Sequence, residues 1–185
     1  EYRFITGNKY TDEDGTTGYY AYSPYMDTIV KLPLENAPFL EYELIDFIDQ
    51  SVFQMNIDNV SEITAHVPGV TFVLEGTGKD LKVTETNTGN VIDTDSFRQF
   101  FISLLTVKIE GYATKDDVTG PNEFGFTVVS RFDETSEFEF DIISTTRALI
   151  TLDGNSEFYT NRSYVTTAAE RLLMLVNGEK IEADY

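Results

Sequence analysis

The stretch EFEFDIIS, residues 137–144, most constrains the fold, because apolar and acidic side chains alternate along it. The alternating members are Phe138, Phe140 and Ile142 on one side, and Glu139 and Asp141 on the other. Successive side chains of a β-strand point to opposite faces, so the pattern predicts a strand with one buried and one solvated face. Such strands are typical of antiparallel sheets and argue against a doubly wound parallel sheet.

Further short strands are predicted along the chain, separated by turn residues. They are TIVKL (28–32), SEITAHV (61–67), VTFVLEG (70–76) and DLKVTET (80–86), together with EYRFITG and GYYAYSPY in the first 25 residues. ALITL and EFYT, on either side of Asp153-Gly154-Asn155, predict a hairpin, because these three residues tolerate the positive φ of a tight turn.

Helical periodicity is clearest after the loop that ends at Asp93 and Thr94, either of which can cap a helix. The apolar positions are Phe97, Phe100, Phe101, Leu104, Leu105 and Ile109. We expect Phe97, Phe101, Leu104 and Leu105 to be buried. A second helix is predicted at 38–49, capped by Asn36, on the spacing of Phe39, Leu44, Ile45 and Ile48.

A third helix is predicted near the C-terminus. Ser163 is the expected N-cap, and Asn177-Gly178 the expected end. Its apolar face would consist of Tyr164, Ala168, Leu172, Leu175 and Val176. Leu172 and Val176 are expected to be buried.

The sequence therefore predicts an α+β protein with antiparallel sheets and about three helices. Strands followed by a helix occur three times, near 1–50, 51–112 and 121–178. One division of the chain is an N-terminal lobe at 1–112, a linker at 113–122 and a C-terminal unit at 123–185. The alternative is one compact domain.

Charge excludes two classes of partner. The chain has 13 basic and 32 acidic residues, a formal net charge of −19. A nucleic-acid-binding protein must neutralise phosphates with Lys and Arg, and an acidic surface also repels anionic lipid headgroups. We expect no nucleic-acid partner and no direct membrane contact by this domain.

The residue types that usually carry catalysis or bind metal are sparse. Asp153, Asn155 and Glu157 alternate like calcium ligands, but Phe158 and Tyr164 stand where a calcium loop needs glycine and a carboxylate. The chain has no cysteine, and His66 is its only histidine, without potential partners nearby in sequence. We therefore predict no catalytic residues, no cofactor and no metal ligands.

Tyrosines are concentrated in YYAYSPYMD, residues 19–27. Tyr19, Tyr20, Tyr22 and Tyr25 form the candidate partner surface, because tyrosine combines a large contact area with a polar end. Alternation along a strand places Tyr20 and Tyr22 on the face opposite Tyr19, so one of the two sets could instead pack inward.

Two segments, 46–83 and 147–173, resemble the bacterial family known as domain of unknown function 4340. The first has that family's short acidic helix, Phe, Ile-containing strand and hairpin. The second has its strand, turn, aromatic strand and closing helix. The resemblance implies an envelope protein outside the cytoplasm, tethered by a membrane segment before residue 1, and encoded beside ABC transporter genes. No catalytic residues are known for the family, so the resemblance assigns none to this sequence.

The expected function is therefore that of a non-catalytic, extracytoplasmic accessory or interaction module. Its expected partner is an unidentified protein, with components of an ABC transporter as candidates. The alternative is a surface protein that binds or processes carbohydrate.

Overall fold

The structure is a computed structural model that describes residues 3–183, apart from the side chain of Leu44. It divides into two compact units, Glu1–Asp49 and Gln50–Tyr185, which we call the small unit and the large unit. The small unit contains a three-stranded sheet, and the large unit a nine-stranded sheet with two α-helices. All strand pairs are antiparallel, so the predicted α+β class is confirmed.

The sheet of the small unit consists of β1 (Ile5–Thr11), β2 (Thr17–Ser23) and β3 (Thr28–Pro33), in that spatial order. β1 begins and ends later than the predicted strand EYRFITG, because Lys9 and Tyr10 also pair with β2. Gly15 lies in the β1–β2 turn with a φ of +88°, a conformation that glycine adopts without steric cost.

The predicted helix at 38–49 is wrong: this part of the chain forms short 3-10 segments. The segments are Leu34–Asn36, Pro38–Glu41 and Leu44–Asp46. Phe39 and Phe47 are exposed, so they do not supply the buried stripe that stabilises a short helix in water. Leu44 belongs to the predicted stripe, but its side chain lies outside the described residues.

The large sheet has the strand order β7-β6-β5-β4-β9-β10-β11-β12-β8. Its strands are β4 (Val60–Ala65), β5 (Val70–Glu75), β6 (Lys82–Glu85), β7 (Val91–Ile92), β8 (Gly111–Tyr112), β9 (Asn122–Ser130), β10 (Thr135–Ile142), β11 (Arg147–Leu152) and β12 (Asn155–Asn161). The predicted alternation in β10 is present, since Phe138 and Phe140 are buried while Glu137 is exposed. Asp153 and Gly154 have positive φ in the predicted β11–β12 turn.

Two α-helices, α1 (Thr94–Leu105) and α2 (Arg162–Val176), belong to the large unit. Asp93 caps α1 as predicted, by accepting a hydrogen bond from the Ser96 N–H. The N-cap of α2 is Asn161 rather than Ser163, because the Asn161 side chain accepts from the Ser163 N–H. Asn oxygens are effective helix caps, and α2 therefore begins earlier than predicted.

In both helices the last residue, which belongs to the predicted apolar face, is not buried. Phe97, Phe100, Phe101 and Leu104 of α1 are buried, as are Ala168, Leu172 and Leu175 of α2. Leu105 and Val176 were expected to be buried but are 37% and 38% exposed. Each is the last residue of its helix, one position beyond a buried leucine, so the helical rotation of about 100° per residue turns it away from the core.

The core of the large unit joins these helical faces to one face of the sheet. Its aromatic members from the sheet are Phe72, Phe124, Phe126, Phe138 and Phe140, and Phe53 joins them from the segment before β4. The opposite face of the strands β4, β9 and β10, which we call the outer face, carries polar residues such as Thr64, Thr127 and Glu137.

The predicted linker at 113–122 is instead part of the large unit. The Thr119 N–H donates to the Ile142 carbonyl at 2.9 Å, which attaches this segment to the end of β10. The boundary between the compact units lies between Asp49 and Gln50. Glycine, proline and charge are typical of surface loops as well as linkers, which explains why composition placed the boundary in the wrong loop.

Candidate functional site

One face of the small sheet carries apolar side chains across all three strands. Tyr22 of β2 lies opposite Ile5 of β1 and Ile29 of β3, and directly paired residues project to the same face. Tyr20, two residues along β2, shares this face, and its ring centroid lies 5.4 Å from that of Tyr10. We call Ile5, Tyr20, Tyr22 and Ile29 the tyrosine face.

The tyrosine face is open to solvent. Ile29 is 68% exposed, Ile5 and Tyr20 are also exposed, and Tyr22 is half-buried. The turn between β2 and β3 adds Tyr25, which is 66% exposed, next to an exposed methionine. Grouped apolar residues on the surface of a soluble domain are typical of interaction sites.

Charged side chains contact Tyr22 of the tyrosine face and the neighbouring Tyr10. The Tyr22 hydroxyl donates to Asp27 Oδ1 at 2.9 Å, and this hydrogen bond raises the pKa of Tyr22. Lys31 forms an ion pair with Asp12, and its Nζ lies 4.8 Å from the centroid of the Tyr10 ring. Rings held in place before binding lose less conformational entropy on binding.

Tyr19 projects to the opposite face of the small sheet. Its hydroxyl donates to Glu41 Oε1 at 2.5 Å, and Lys9 Nζ donates to both carboxylate oxygens of Glu41 at 3.1 Å. The hydrogen bond with Glu41 raises the pKa of Tyr19, and the hydrogen bonds from Tyr19 and then Lys9 lower the pKa of Glu41. Tyr19 therefore ties β2 to the 3-10 segment that ends at Glu41.

The four tyrosines of the candidate partner surface are thus divided. Tyr20 and Tyr22 share one face, Tyr25 lies in the adjoining turn, and Tyr19 is on the other side. Sequence reasoning missed Ile5 and Ile29, because only the pairing register shows that they flank Tyr22. The sequence shows which residues of one strand share a face, but it does not show which residues of neighbouring strands lie opposite each other.

A second group of side chains meets on the outer face of the large sheet. His66 Nε2 lies 2.8 Å from the Thr127 hydroxyl and 3.7 Å from Glu137 Oε1. One potential ligand atom from each of His66, Glu137 and Glu139 lies within 4.8 Å of the others. The strand register brings together residues that are far apart in sequence, which is why no partner for His66 was predicted.

Among the described residues, no helix is both long and apolar enough to span a membrane. A search of curated proteins and a search of solved structures each found no match to the chain. Residues 10–127 match the family model described as "Domain of unknown function (DUF4340)". This range contains the whole of the first resembling segment, 46–83, whereas the second resembling segment, 147–173, lies beyond it. The match covers more than half of the chain, and the chain therefore belongs to the family of domain of unknown function 4340.

Proposed function

We propose that the chain is a non-catalytic interaction module of the bacterial cell envelope, which binds a protein partner through the tyrosine face. The observation that carries this proposal is the row in which exposed Ile5 and Ile29 flank half-buried Tyr22, continued by exposed Tyr20. Burial of such side chains stabilises a complex by about 25 cal/mol for each Å² of apolar area removed from water.

The composition of the tyrosine face suits recognition of a protein. Tyrosine contributes a large rigid contact area with few rotatable bonds, so little conformational entropy is lost on binding. The Tyr22 hydroxyl is already bonded to Asp27, so its polar end does not have to find a new partner in the complex. These properties are typical of residues that dominate the energy of protein interfaces.

Charge restricts the chemistry of the partner. With a net charge of −19, the chain repels acidic proteins at long range and favours a partner with a neutral or basic surface around an apolar patch. The family resemblance supports an extracytoplasmic location, with a tether before residue 1 and components of an ABC transporter as the candidate partners.

The proposal predicts that truncating the exposed residues strongly weakens partner binding without unfolding the chain. The variant Tyr20→Ala/Tyr25→Ala/Ile29→Ala is compared with wild type in capture from detergent-solubilised membranes of the native organism. The captured protein is then purified, and its dissociation constant is measured for both chains. Loss of even one interface residue that contributes about 2 kcal/mol weakens binding about thirtyfold, so the dissociation constant of the triple variant should rise by at least that factor.

The matched control is Val91→Ala, which removes an exposed apolar side chain from an edge strand of the large sheet. This control should bind like wild type, and all three proteins should melt within a few degrees of one another. Equal binding by the triple variant and the control would contradict the proposal. Binding of wild type to a glycan array, lost in the triple variant, would instead support the carbohydrate alternative.

A further inference from the structure

The outer face of the large sheet holds a cluster of three metal-ligating side chains, His66, Glu137 and Glu139, which we call the His66 cluster. His66 follows β4, and both glutamates belong to β10, with β9 between them. From this geometry we infer that the His66 cluster binds a divalent transition-metal ion, with Zn²⁺ as the best-suited representative. This inference is independent of the proposed partner surface, which lies in the small unit.

A glycine makes the convergence of these side chains possible. The His66 N–H donates to the Gly125 carbonyl of β9 at 2.9 Å, and Gly125 pairs with Glu139 on its other side. A Cβ atom at Gly125 would lie only 2.8 Å from His66 Nδ1, so any other residue would push the imidazole away. The missing side chain lets His66 and Glu139 approach each other across the intervening strand.

The orientation of the imidazole places Nε2 beside the Glu137 carboxylate. Nδ1 is packed above Gly125, whereas Nε2 lies 3.7 Å from Glu137 Oε1. Nε2 also lies 2.8 Å from the Thr127 hydroxyl, so metal binding exchanges that hydrogen bond for a coordinate bond. The backbone positions are fixed by strand pairing, since Glu137 is paired with Thr127 and Glu139 with Gly125.

The ligand types select the class of ion. One imidazole and two carboxylates form a three-ligand set that leaves a fourth position for water, as in open zinc sites. Calcium requires six to eight oxygen ligands, which this cluster does not provide. Ligand atoms around a tetrahedral Zn²⁺ are separated by about 3.4 Å, given bonds near 2.1 Å. The three ligand atoms lie within 4.8 Å of one another, so side-chain rotations of the glutamates can bring them to this separation.

Electrostatics favours a cation at this position. Glu137 and Glu139 project to the same face of β10 two residues apart, and their like charges repel each other. A bound divalent ion converts this repulsion into attraction. The chain's net charge of −19 further raises the local concentration of cations.

The inference is tested by titrating the full chain, freed of metal with chelator and dialysed, with Zn²⁺ in a calorimeter. We expect one saturable site. His66→Gln and Glu139→Gln should each weaken binding at least about tenfold. Mutation of a residue that only hydrogen-bonds a metal ligand already lowers metal affinity about 10–100-fold, and these two residues would bind the ion directly. The matched control is Glu62→Gln, a half-buried glutamate of β4 that is not a member of the cluster.

Melting curves distinguish a variant that has lost the metal site from a variant that has failed to fold. Saturating Zn²⁺ should raise the melting temperature of wild type and of Glu62→Gln, and the same concentration of Ca²⁺ should not. His66→Gln should fold normally without metal and lose the Zn²⁺-dependent rise. The inference is overturned if wild type shows no single saturable site, or if His66→Gln binds Zn²⁺ as tightly as wild type, which would indicate binding by surface carboxylates only.

Discussion

Replacing Phe126 by alanine should lower the free energy of unfolding of the large unit by about 3–5 kcal/mol. Phe126 is buried at the centre of the sheet, and its ring stacks on Phe138 with a centroid distance of 4.8 Å. Phe53 packs edge-on against both of these rings. The substitution therefore leaves a cavity bounded by residues on different strands, which cannot all move inward to fill it.

Urea denaturation followed by circular dichroism measures this loss of stability. Phe132→Ala is the control, because Phe132 lies in the turn between β9 and β10 and is 72% exposed. That change should alter the free energy of unfolding by no more than about 0.5 kcal/mol. Similar costs for the two substitutions would show that the aromatic cluster is not the core of this unit.

Leu104→Ala should lower the free energy of unfolding by about 2–5 kcal/mol. Leu104 is fully buried in the core where α1 packs against α2 and the sheet. The matched control is the next residue, Leu105, which is of the same type and in the same helix but partly exposed. Leu105→Ala should cost markedly less, because Leu105 is already 37% exposed, so less buried apolar area is lost, and alanine has the higher helix propensity.

Thermal or urea unfolding of the two leucine variants distinguishes the observed helix face from the one predicted by sequence. The sequence prediction placed both Leu104 and Leu105 in the core. Equal destabilisation by the two substitutions would favour the face predicted from sequence and contradict the structure. A much larger loss of unfolding free energy for Leu104→Ala than for Leu105→Ala supports the helix face observed in the structure.

The elements predicted correctly from sequence are those whose signal is local. The alternation at Phe138 and Phe140 and the helical spacing from Phe97 to Leu104 each repeat within one element. Turn chemistry is equally local, as Asp153 and Gly154 illustrate with their positive φ. Such patterns act through the geometry of a single strand, helix or turn, and require no knowledge of its neighbours.

The failures share a dependence on packing partners. Spacing at 38–49 indicated a helix, but Phe39 and Phe47 remain exposed, and a helix that short requires a buried face. The predicted N-cap of α2, Ser163, lies two residues after the observed N-cap, Asn161. Serine and asparagine are both favourable N-cap residues, so residue type alone does not distinguish them. Helix boundaries depend on which side chain reaches the free N–H groups, and spacing does not show this.

The candidate sites were the least predictable part, because strand register determines them. The sequence indicated Tyr20 and Tyr22 on one face, yet their neighbours Ile5 and Ile29 become evident only when β1 and β3 are paired with β2. The His66 cluster depends in the same way on β9 lying between β4 and β10. A one-residue slip in either sheet would reverse the faces and separate these side chains.

The most direct test of the proposed partner surface is site-specific photocrosslinking in living cells. A photoreactive phenylalanine analogue replaces Ile29, on the tyrosine face, or Thr28, an exposed neighbour on the opposite face. We expect position 29 to give one discrete crosslinked protein in the membrane fraction, and position 28 to give none. No discrete product from position 29, or the same product from both positions, would contradict the proposal that the tyrosine face binds a protein partner.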